Sequence, residues 1–489
     1  MEAANRIDGQ GRVLLPGLID AHVHVSNLGS QELGANVTGS QTLDEALQIV
    51  SDYAGQYPDA EWIRGRGWNQ VFWEIGRFPT AEELDQAVSD RPVWLGRVDG
   101  HAGWANSRAM EIAGITAETE APEGGQIIRD EEGNPTGVFV DGAMSLITSQ
   151  IPAPSKQERD QALSLALQQM RSHGLTSVHD AGIGLDSWER YKRFVDGDSL
   201  TTRIYAMYRG TGDTFEQLAA DGPVNSYADD MLALRSVKLS IDGALGSRGA
   251  ALLEPYSDDP GNRGLLFHSQ EEVNGMVMKV ASAGWQMNVH AIGDRANRVI
   301  LNAFEAARDS LGEQGLRHRV EHAQIVHPDD IPRFEELNIV ASMQPTHATS
   351  DMNMAEDRIG ADRMEGAYAW QTFLDQGTVI AAGSDFPVEH VNPFYGLYSA
   401  VTRMDHQGNP EGGWYPSEAM SRLQAFRAFT LDAAWAAHQE EVLGTLEEGK
   451  WADFILVDRD YFEVPASEIW QTEVLQTWVA GEKVYDTTQ

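Results

Sequence analysis

The sequence predicts an α/β protein built on a (β/α)8 barrel, with an inserted α+β subdomain and a partial C-terminal β-sandwich. The first observation behind this prediction is a series of eight short apolar segments rich in β-branched residues. The second is that stretches with helical patterning separate these segments, and strands alternating with helices of about 10–15 residues indicate βαβ units. Eight such units are typical of a closed parallel barrel.

The eight segments are expected to be the barrel strands in chain order. They are 18–24, 175–182, 203–210, 237–243, 285–293, 319–326, 339–345 and 379–387. One intervening helix is readable at both ends. Ser155 and Glu158 match a capping box at its start, and Gly174 fits a C-terminal stop.

Two regions lie outside this repeat. Residues 27–150 separate the first two strands, and a structureless loop longer than about 15 residues is uncommon. Their turn sequences are rich in Gly, Trp and Pro, so we expect an inserted α+β subdomain beside the barrel mouth. Residues 441–489 contain short strand patterns with a turn at Gly481 and predict the partial β-sandwich. This assigns 1–26 to the lead-in and strand one, and 151–440 to the rest of the barrel.

The composition excludes several classes of protein. The chain has 36 Lys and Arg residues against 74 Asp and Glu residues, a formal charge of −38 that repels nucleic acids and anionic membrane surfaces. It has no cysteine, so disulfides, thiolate nucleophiles and cysteine-held metals are excluded. No apolar run reaches the length of about 18 residues of a transmembrane helix, and no signal peptide is visible. We therefore expect a cytoplasmic protein.

His22 and His24 are the clearest local signal for chemistry. Side chains two residues apart on a strand point to the same face, so both imidazoles can reach one ion. Active sites of barrels lie at the carboxyl ends of the strands, which is where this pair falls. The alternative is that the two histidines are unrelated polar residues at a strand end.

Further candidate ligands end or lie in other predicted strands. They are Lys238 in strand four, His290 in strand five, His322 in strand six and Asp385 in strand eight. Taken singly, a strand histidine is commonly a core residue, and a strand lysine commonly forms an ion pair. Because five strands direct nitrogen or oxygen groups to one end of the barrel, the joint pattern predicts a metal site.

At this point the sequence resembles the amidohydrolase superfamily, in its YtcJ-like (amidohydrolase 3) branch, which includes N-substituted formamide deformylases. The resemblance covers nearly the whole chain. It rests on the motifs LLPGLIDAHVH, GRGWNQVFW, RVDGHAGWANSRAM, GNPTGVF, VKLSIDGALGSRGAALLEPY, NVHAIGDRAN, RVEHAQ, GSDFPVEHVNPF and GTLEEGKWADFILVD.

The resemblance implies roles for the candidate residues. His22, His24, His290, His322 and Asp385 match the metal ligands, and Lys238 matches a lysine that is carboxylated and bridges two metals in binuclear members. Imidazole ligands favour zinc, with one or two divalent ions, although manganese, iron or cobalt also accept mixed nitrogen and oxygen ligands. Asp385 is expected to act as general base and then general acid, and Lys238 to share the catalytic centre.

Several other residues are candidates for contact with substrate. His101 in the inserted segment is expected to reach over the barrel mouth, with a turn-stabilising histidine as the alternative. Trp68 and Trp73, together with Phe72, are expected to line an apolar pocket, with local core packing as the alternative. Arg295 is expected either to meet a substrate carboxylate or to pair with a neighbouring acid, and for Arg248 the simple ion pair is again the alternative.

The sequence therefore predicts a metal-dependent hydrolase that cleaves carbon–nitrogen bonds of amides such as N-substituted formamides or carboxamides. Hydrolysis of esters or cyclic amides, isomerisation on the same barrel, and a catalytically silent truncated scaffold are the alternatives. The expected partner is a small-molecule substrate, without nucleic acid or membrane, and a homodimer is left open. Because family members carry further N-terminal strands, the chain looks truncated, and a lost signal peptide is an alternative to the cytoplasmic location.

Overall fold

The computed structural model, which describes residues 6–73 and 75–487, contains a nearly closed barrel of eight parallel strands. Each barrel strand pairs with the next one along the chain, and the eighth lies beside the first. This confirms the predicted barrel and its eight segments, although strand four begins five residues earlier than predicted. In order, the barrel strands are Leu18–Val23, Leu175–Ile183, Arg203–Arg209, Leu232–Ser240, Gln286–Ala291, Arg319–His322, Val340–Met343 and Ile380–Ala382.

Helices surround the barrel and bury their apolar faces against it. The helix Lys156–Ser172 begins with the predicted capping box, in which Ser155 and Glu158 accept from each other's backbone N–H groups. Among the described helices, none has both the length and the apolar character of a segment that crosses a bilayer. The helices of this layer are Val25–Gln31, Lys156–Ser172, Leu185–Asp196, Asp213–Asp221, Gln270–Ser282, Asp294–Leu311, Pro332–Glu336, Pro345–Asp351, Ala355–Ile359, Trp370–Asp375, Pro393–Thr402, Arg422–Ala428 and Leu431–Ala436.

The inserted region folds around a six-stranded mixed sheet with its own core. In spatial order its strands are Ala35–Asn36, Ile63–Trp68, Val93–Arg97, Ala102–Ala105, Pro135–Asp141 and Gly125–Arg129. Its helices are Leu43–Gln56, Ala81–Ala87, Ser107–Ile112 and Ser145–Thr148. Trp68, Trp73 and Trp104 pack against one another in this core.

The C-terminal strands form one four-stranded antiparallel sheet with a segment from the other end of the chain. Val13–Pro16 pairs with Phe454–Val457, which is followed in the sheet by Val474–Val479 and Glu482–Asp486. The sequence analysis placed this lead-in directly before strand one and did not predict its pairing. The pairing occurs because the short apolar run alternates, with Leu15 buried against the barrel core and Leu14 exposed.

A buried ion pair connects this sheet to the barrel. Arg203 begins barrel strand three, and its Nε and Nη2 donate to the two carboxylate oxygens of Asp453 at 2.7 and 3.1 Å. Both side chains are buried, and Asp453 also accepts from the backbone N–H of Ala480 at 2.7 Å. The carboxylate therefore satisfies a buried guanidinium and a buried backbone group together.

Replacing Asp453 with Asn should lower the free energy of unfolding by about 3–5 kcal/mol, because it leaves the buried Arg203 without its counter-charge. Denaturant unfolding followed by circular dichroism measures this loss. The control is Glu254→Gln, which removes an exposed pair with Arg263 and should change stability by no more than about 0.5 kcal/mol. Equal stability of the two variants would contradict this role for the pair.

Candidate metal centre

Three buried side chains converge at the carboxyl end of the barrel. His22, His322 and Asp385 each offer a ligand atom, and these atoms all lie within 4.8 Å of one another. The Nε2 of His22 lies 3.7 Å from Asp385 Oδ1, and the rings of His22 and His322 are 4.8 Å apart. Two imidazoles and a carboxylate at this spacing are a donor set that fits a divalent metal ion.

The other predicted ligands surround the same point. His24 Nε2 lies 3.3 Å from Asp385 Oδ1, and Lys238 Nζ lies 3.4 Å from His22 Nε2. The ring of His290 is 4.5 Å from that of His322. The structure therefore brings together all six residues that the sequence analysis named, while their roles as ligands stay a prediction.

The hydrogen bonds of two histidines leave the same ring nitrogen available to a metal. The Nδ1–H of His22 donates to Glu321 in a short contact, and the Nδ1–H of His322 donates to Gln344 Oε1 at 2.8 Å. Each bond fixes the tautomer and directs Nε2 toward the cluster, as outer partners of metal-bound histidines do.

Glu321 was not predicted as a site residue, yet it is fully buried behind His22. Its Oε1 lies 2.7 Å from Arg319 Nε, and Arg319 in turn bonds His179 Nδ1 at 2.9 Å inside the barrel. The signal in the sequence was the motif RVEH, in which Arg319 and Glu321 are two residues apart on an apolar strand and so share its inner face.

Left-handed backbone at two positions aims the side chains into the cavity. His322 has φ 76° and Asp385 has φ 60°. Since successive residues of a regular strand face opposite sides, the turn at His322 lets it face the cavity directly after Glu321 has faced the interior. Non-glycine residues rarely adopt such angles, and they concentrate at functional sites.

Asp20 was also missed, and it joins the first and eighth strands beneath the cluster. Its carboxylate accepts from the backbone N–H of Ser384 at 3.0 Å, from the Ser384 hydroxyl at 2.6 Å and from the backbone N–H of His22 at 3.2 Å. These bonds hold His22 and Asp385 at a fixed separation. The sequence signal was Asp20 within LIDAHVH, two residues before His22.

Burial keeps the imidazoles of the cluster in the form that binds metals. It lowers the pKa of His22 to about 4 and holds the pKa values of His290 and His322 well below the ordinary value, so all three are neutral at pH 7. Burial acts to raise the pKa of Asp385, but its interactions with His24, 3.3 Å away, and with the other histidines around it outweigh burial and hold that pKa well below the ordinary value.

Burial also changes the pKa of Lys238. Burial lowers the pKa of its amine to about 8, so about a tenth of it is uncharged at pH 7. An uncharged amine is a nucleophile, whereas an ammonium is not.

The cluster lies at the base of a cavity of about 690 Å³ between the barrel mouth and the inserted subdomain. The barrel side of its lining includes His24, Lys238, His290, His322 and Asp385, and the subdomain side includes Arg66, Phe72, Arg97 and His101. A cavity of this size accommodates a small organic molecule.

His101 lines the cavity, and its contact with substrate stays a prediction. Its Nδ1–H donates to Asp141 Oδ1 at 2.6 Å, and its ring is 5.1 Å from that of His290. Burial acts to lower the pKa of His101, but the hydrogen bond and the charges of Asp141 and nearby acids outweigh it and raise the pKa to about 9. His101 therefore carries a positive charge over the metal centre at neutral pH.

Three other predicted substrate contacts lie elsewhere. Trp68 and Trp73 are in the subdomain core, where their indole N–H groups donate to Leu95 O and to Ser40 O, so the core alternative describes them and only Phe72 reaches the cavity. Arg295 is exposed on the first turn of a barrel helix and is not part of the cavity lining. Its chain position after strand five is correct, but the helix directs the side chain to solvent.

His347 was passed over in the sequence and lies beside the cluster. It belongs to the helix that follows strand seven, its Nε2 is 3.7 Å from Asp385 Oδ2, and its ring stacks on that of His322 at 5.8 Å. Arg248, in contrast, forms the simple ion pair with Asp258 at 2.8 Å.

Curated relatives match almost the whole chain. The Arabidopsis thaliana protein LONG AFTER FAR-RED 3 is 35% identical, over 97% of this chain and 83% of its own length. N-substituted formamide deformylase from Arthrobacter pascens is 28% identical, over 99% of this chain and 90% of its own length.

A solved structure and a family model agree with these matches. The crystal structure of an uncharacterized metal-dependent hydrolase from Pyrococcus horikoshii is 25% identical and superposes with a TM-score of 0.75, covering 94% of this chain and 89% of that one. The model described as Amidohydrolase family (Amidohydro_3) matches residues 6–485. The resemblance seen in the sequence motifs is thereby confirmed, and the chain belongs to the Amidohydrolase family.

Proposed function

We propose that this protein is a metal-dependent hydrolase that cleaves the carbon–nitrogen bond of small amides, with zinc as the favoured metal. The observation that carries the proposal is the convergence of His22, His322 and Asp385 at the base of a cavity of substrate size. The similarity to N-substituted formamide deformylase supports amides as the substrate class.

The residues of the cluster have different roles in the proposed reaction. His22, His24, His290 and His322 would hold the metal together with Asp385, and the neutral rings of His22, His290 and His322 need not lose a proton to do so. A divalent ion at such a site supplies Lewis-acid polarisation of the substrate carbonyl and lowers the pKa of water to about 7. His101 is cationic and faces the same space, so it is placed to bind the carbonyl oxygen as negative charge develops there.

Asp385 is the residue placed to move protons. Its carboxylate is ionised at neutral pH and can accept the proton of the attacking water at one oxygen. The same group then donates that proton to the departing nitrogen, which must leave as a neutral amine. His24 Nε2 and His347 Nε2 lie 3.3 and 3.7 Å from the two carboxylate oxygens.

Lys238 is the residue on which the number of metal ions depends. Its amine is buried, partly uncharged at neutral pH and 3.4 Å from a ligand nitrogen of His22. Addition of carbon dioxide to this amine would make an anionic carbamate with two oxygens, which suits it to bridge two cations. We propose that Lys238 is carboxylated and that the complete site is binuclear.

Replacing Asp385 with Asn should reduce turnover by about 10²- to 10⁴-fold, since the amide can neither accept nor return the proton. Metal content should change little because the histidines remain. The assay uses N-formyl and N-acyl amines with protein loaded with zinc, manganese or cobalt, and metal is measured by mass spectrometry. Asp329→Asn, at an exposed position, is the matched control. Undiminished turnover in Asp385→Asn would show that the base is a different group.

Protein supplied with ¹³C-bicarbonate and metal should give a lysine carbamate signal by carbon NMR. The signal should disappear in Lys238→Arg, which keeps a long cationic side chain but does not form the carbamate, and it should persist in Lys279→Arg. Metal-loaded wild-type protein without the signal at saturating bicarbonate would rule out the bridging role.

A further inference from the structure

Arg66 lines the cavity with a guanidinium that forms no ion pair among the described residues. It lies on the subdomain strand Ile63–Trp68 and lines the cavity that contains the metal centre. Its Nη2 donates to the backbone carbonyl of Val98 at 2.8 Å, while its Nε is shielded from solvent and has no hydrogen-bond partner. Within residues 6–73 and 75–487, no carboxylate forms an ion pair with it.

The neighbouring arginines, in contrast, have side-chain partners. Arg97, on the next strand, binds Asp99, Gln70 and Asn69 with three of its nitrogens. Arg64, two residues away on the same strand, pairs with Glu158 at 3.4 Å. The chain has 74 acidic residues against 36 basic ones, so carboxylates that could pair with a partly buried guanidinium are abundant. Its open donors are available to an anion that enters the cavity.

Arg66 lines the same cavity as Asp385. Burial lowers the pKa of Arg66 to about 10, and the charges of Asp385 and Asp99 act to raise that pKa. Arg66 therefore remains charged at neutral pH, and it interacts electrostatically with Asp385. An anion held by Arg66 would lie in the same cavity as an amide held at the metal centre.

Arg209 adds a second positive charge at the exposed side of the cavity. It ends barrel strand three, next to Lys238 in the sheet register, and its Nε donates to Gly182 O at 2.9 Å. It is exposed and, among the described residues, pairs with no carboxylate. Its charge favours entry of an anionic ligand into a protein that is otherwise strongly acidic.

We propose that Arg66 binds a carboxylate of the substrate, so that the amides cleaved carry a carboxylate near the scissile bond, as N-acyl amino acids do. This inference rests on the proposed amide hydrolysis. A planar carboxylate matches the guanidinium fork. A phosphate with two negative charges fits less well, because Asp99, Asp351 and Glu389 also line the cavity.

The test compares two benzamides that differ in one group, N-benzoylglycine and the neutral N-propylbenzamide. Binding to zinc-loaded protein is measured by calorimetry, and release of benzoate is measured separately. The wild-type protein should bind N-benzoylglycine about 10- to 100-fold more tightly, the range expected for a hydrogen-bonded charge. Arg66→Gln should abolish this preference, and Arg66→Lys should keep part of it. Arg64→Gln is the control on the same strand and should keep it in full.

The outcomes separate this inference from the proposed function. Equal binding of the two compounds by the wild-type protein, no binding of either, or an unchanged preference in Arg66→Gln would each overturn the role of Arg66. A preference that depends on Arg66, without cleavage of any amide, would refute amide hydrolysis and leave the carboxylate site standing. Cleavage of the neutral amide without a preference in binding would support amide hydrolysis and refute the carboxylate site.

Discussion

The arrangement of the site depends on a buried hydrogen-bonded chain that runs from the barrel interior to the metal centre. Arg319 neutralises Glu321, and Glu321 accepts the Nδ1–H of His22, so the Nε2 of His22 faces Asp385. A buried carboxylate without Arg319 would be strongly destabilising, and a His22 without Glu321 could rotate. The barrel interior therefore holds the candidate ligands in place electrostatically as well as sterically.

The inserted subdomain and the barrel form different walls of the cavity. Barrel strands supply the groups that can hold a metal, whereas the subdomain supplies the opposite wall, including the cationic His101 and Arg66. This division places the groups that can hold a metal on rigid strand ends, and the insertion forms the facing wall of the cavity. It agrees with the general observation that one barrel supports many reactions through what is built around its mouth.

The sequence predicted the barrel and the convergence of His22, Lys238 and Asp385, because strand ends of a parallel barrel must meet at one rim. It did not predict Glu321, whose importance depends on a contact with a residue 299 positions away. Trp68 was misplaced for a related reason: an aromatic residue on a strand can face the core or a cavity, and only the packing decides. The pairing of Val13–Pro16 with the C-terminal strands was also a long-range contact without a local signal.

We expect the converging side chains to hold a divalent metal ion. Crystals of the protein grown with zinc and measured on both sides of the zinc absorption edge test it most directly. We expect an anomalous difference peak bounded by His22, His322 and Asp385. A peak only at another histidine, such as His327 beside the exposed Asp329, or no peak at all at saturating zinc, would contradict this expectation.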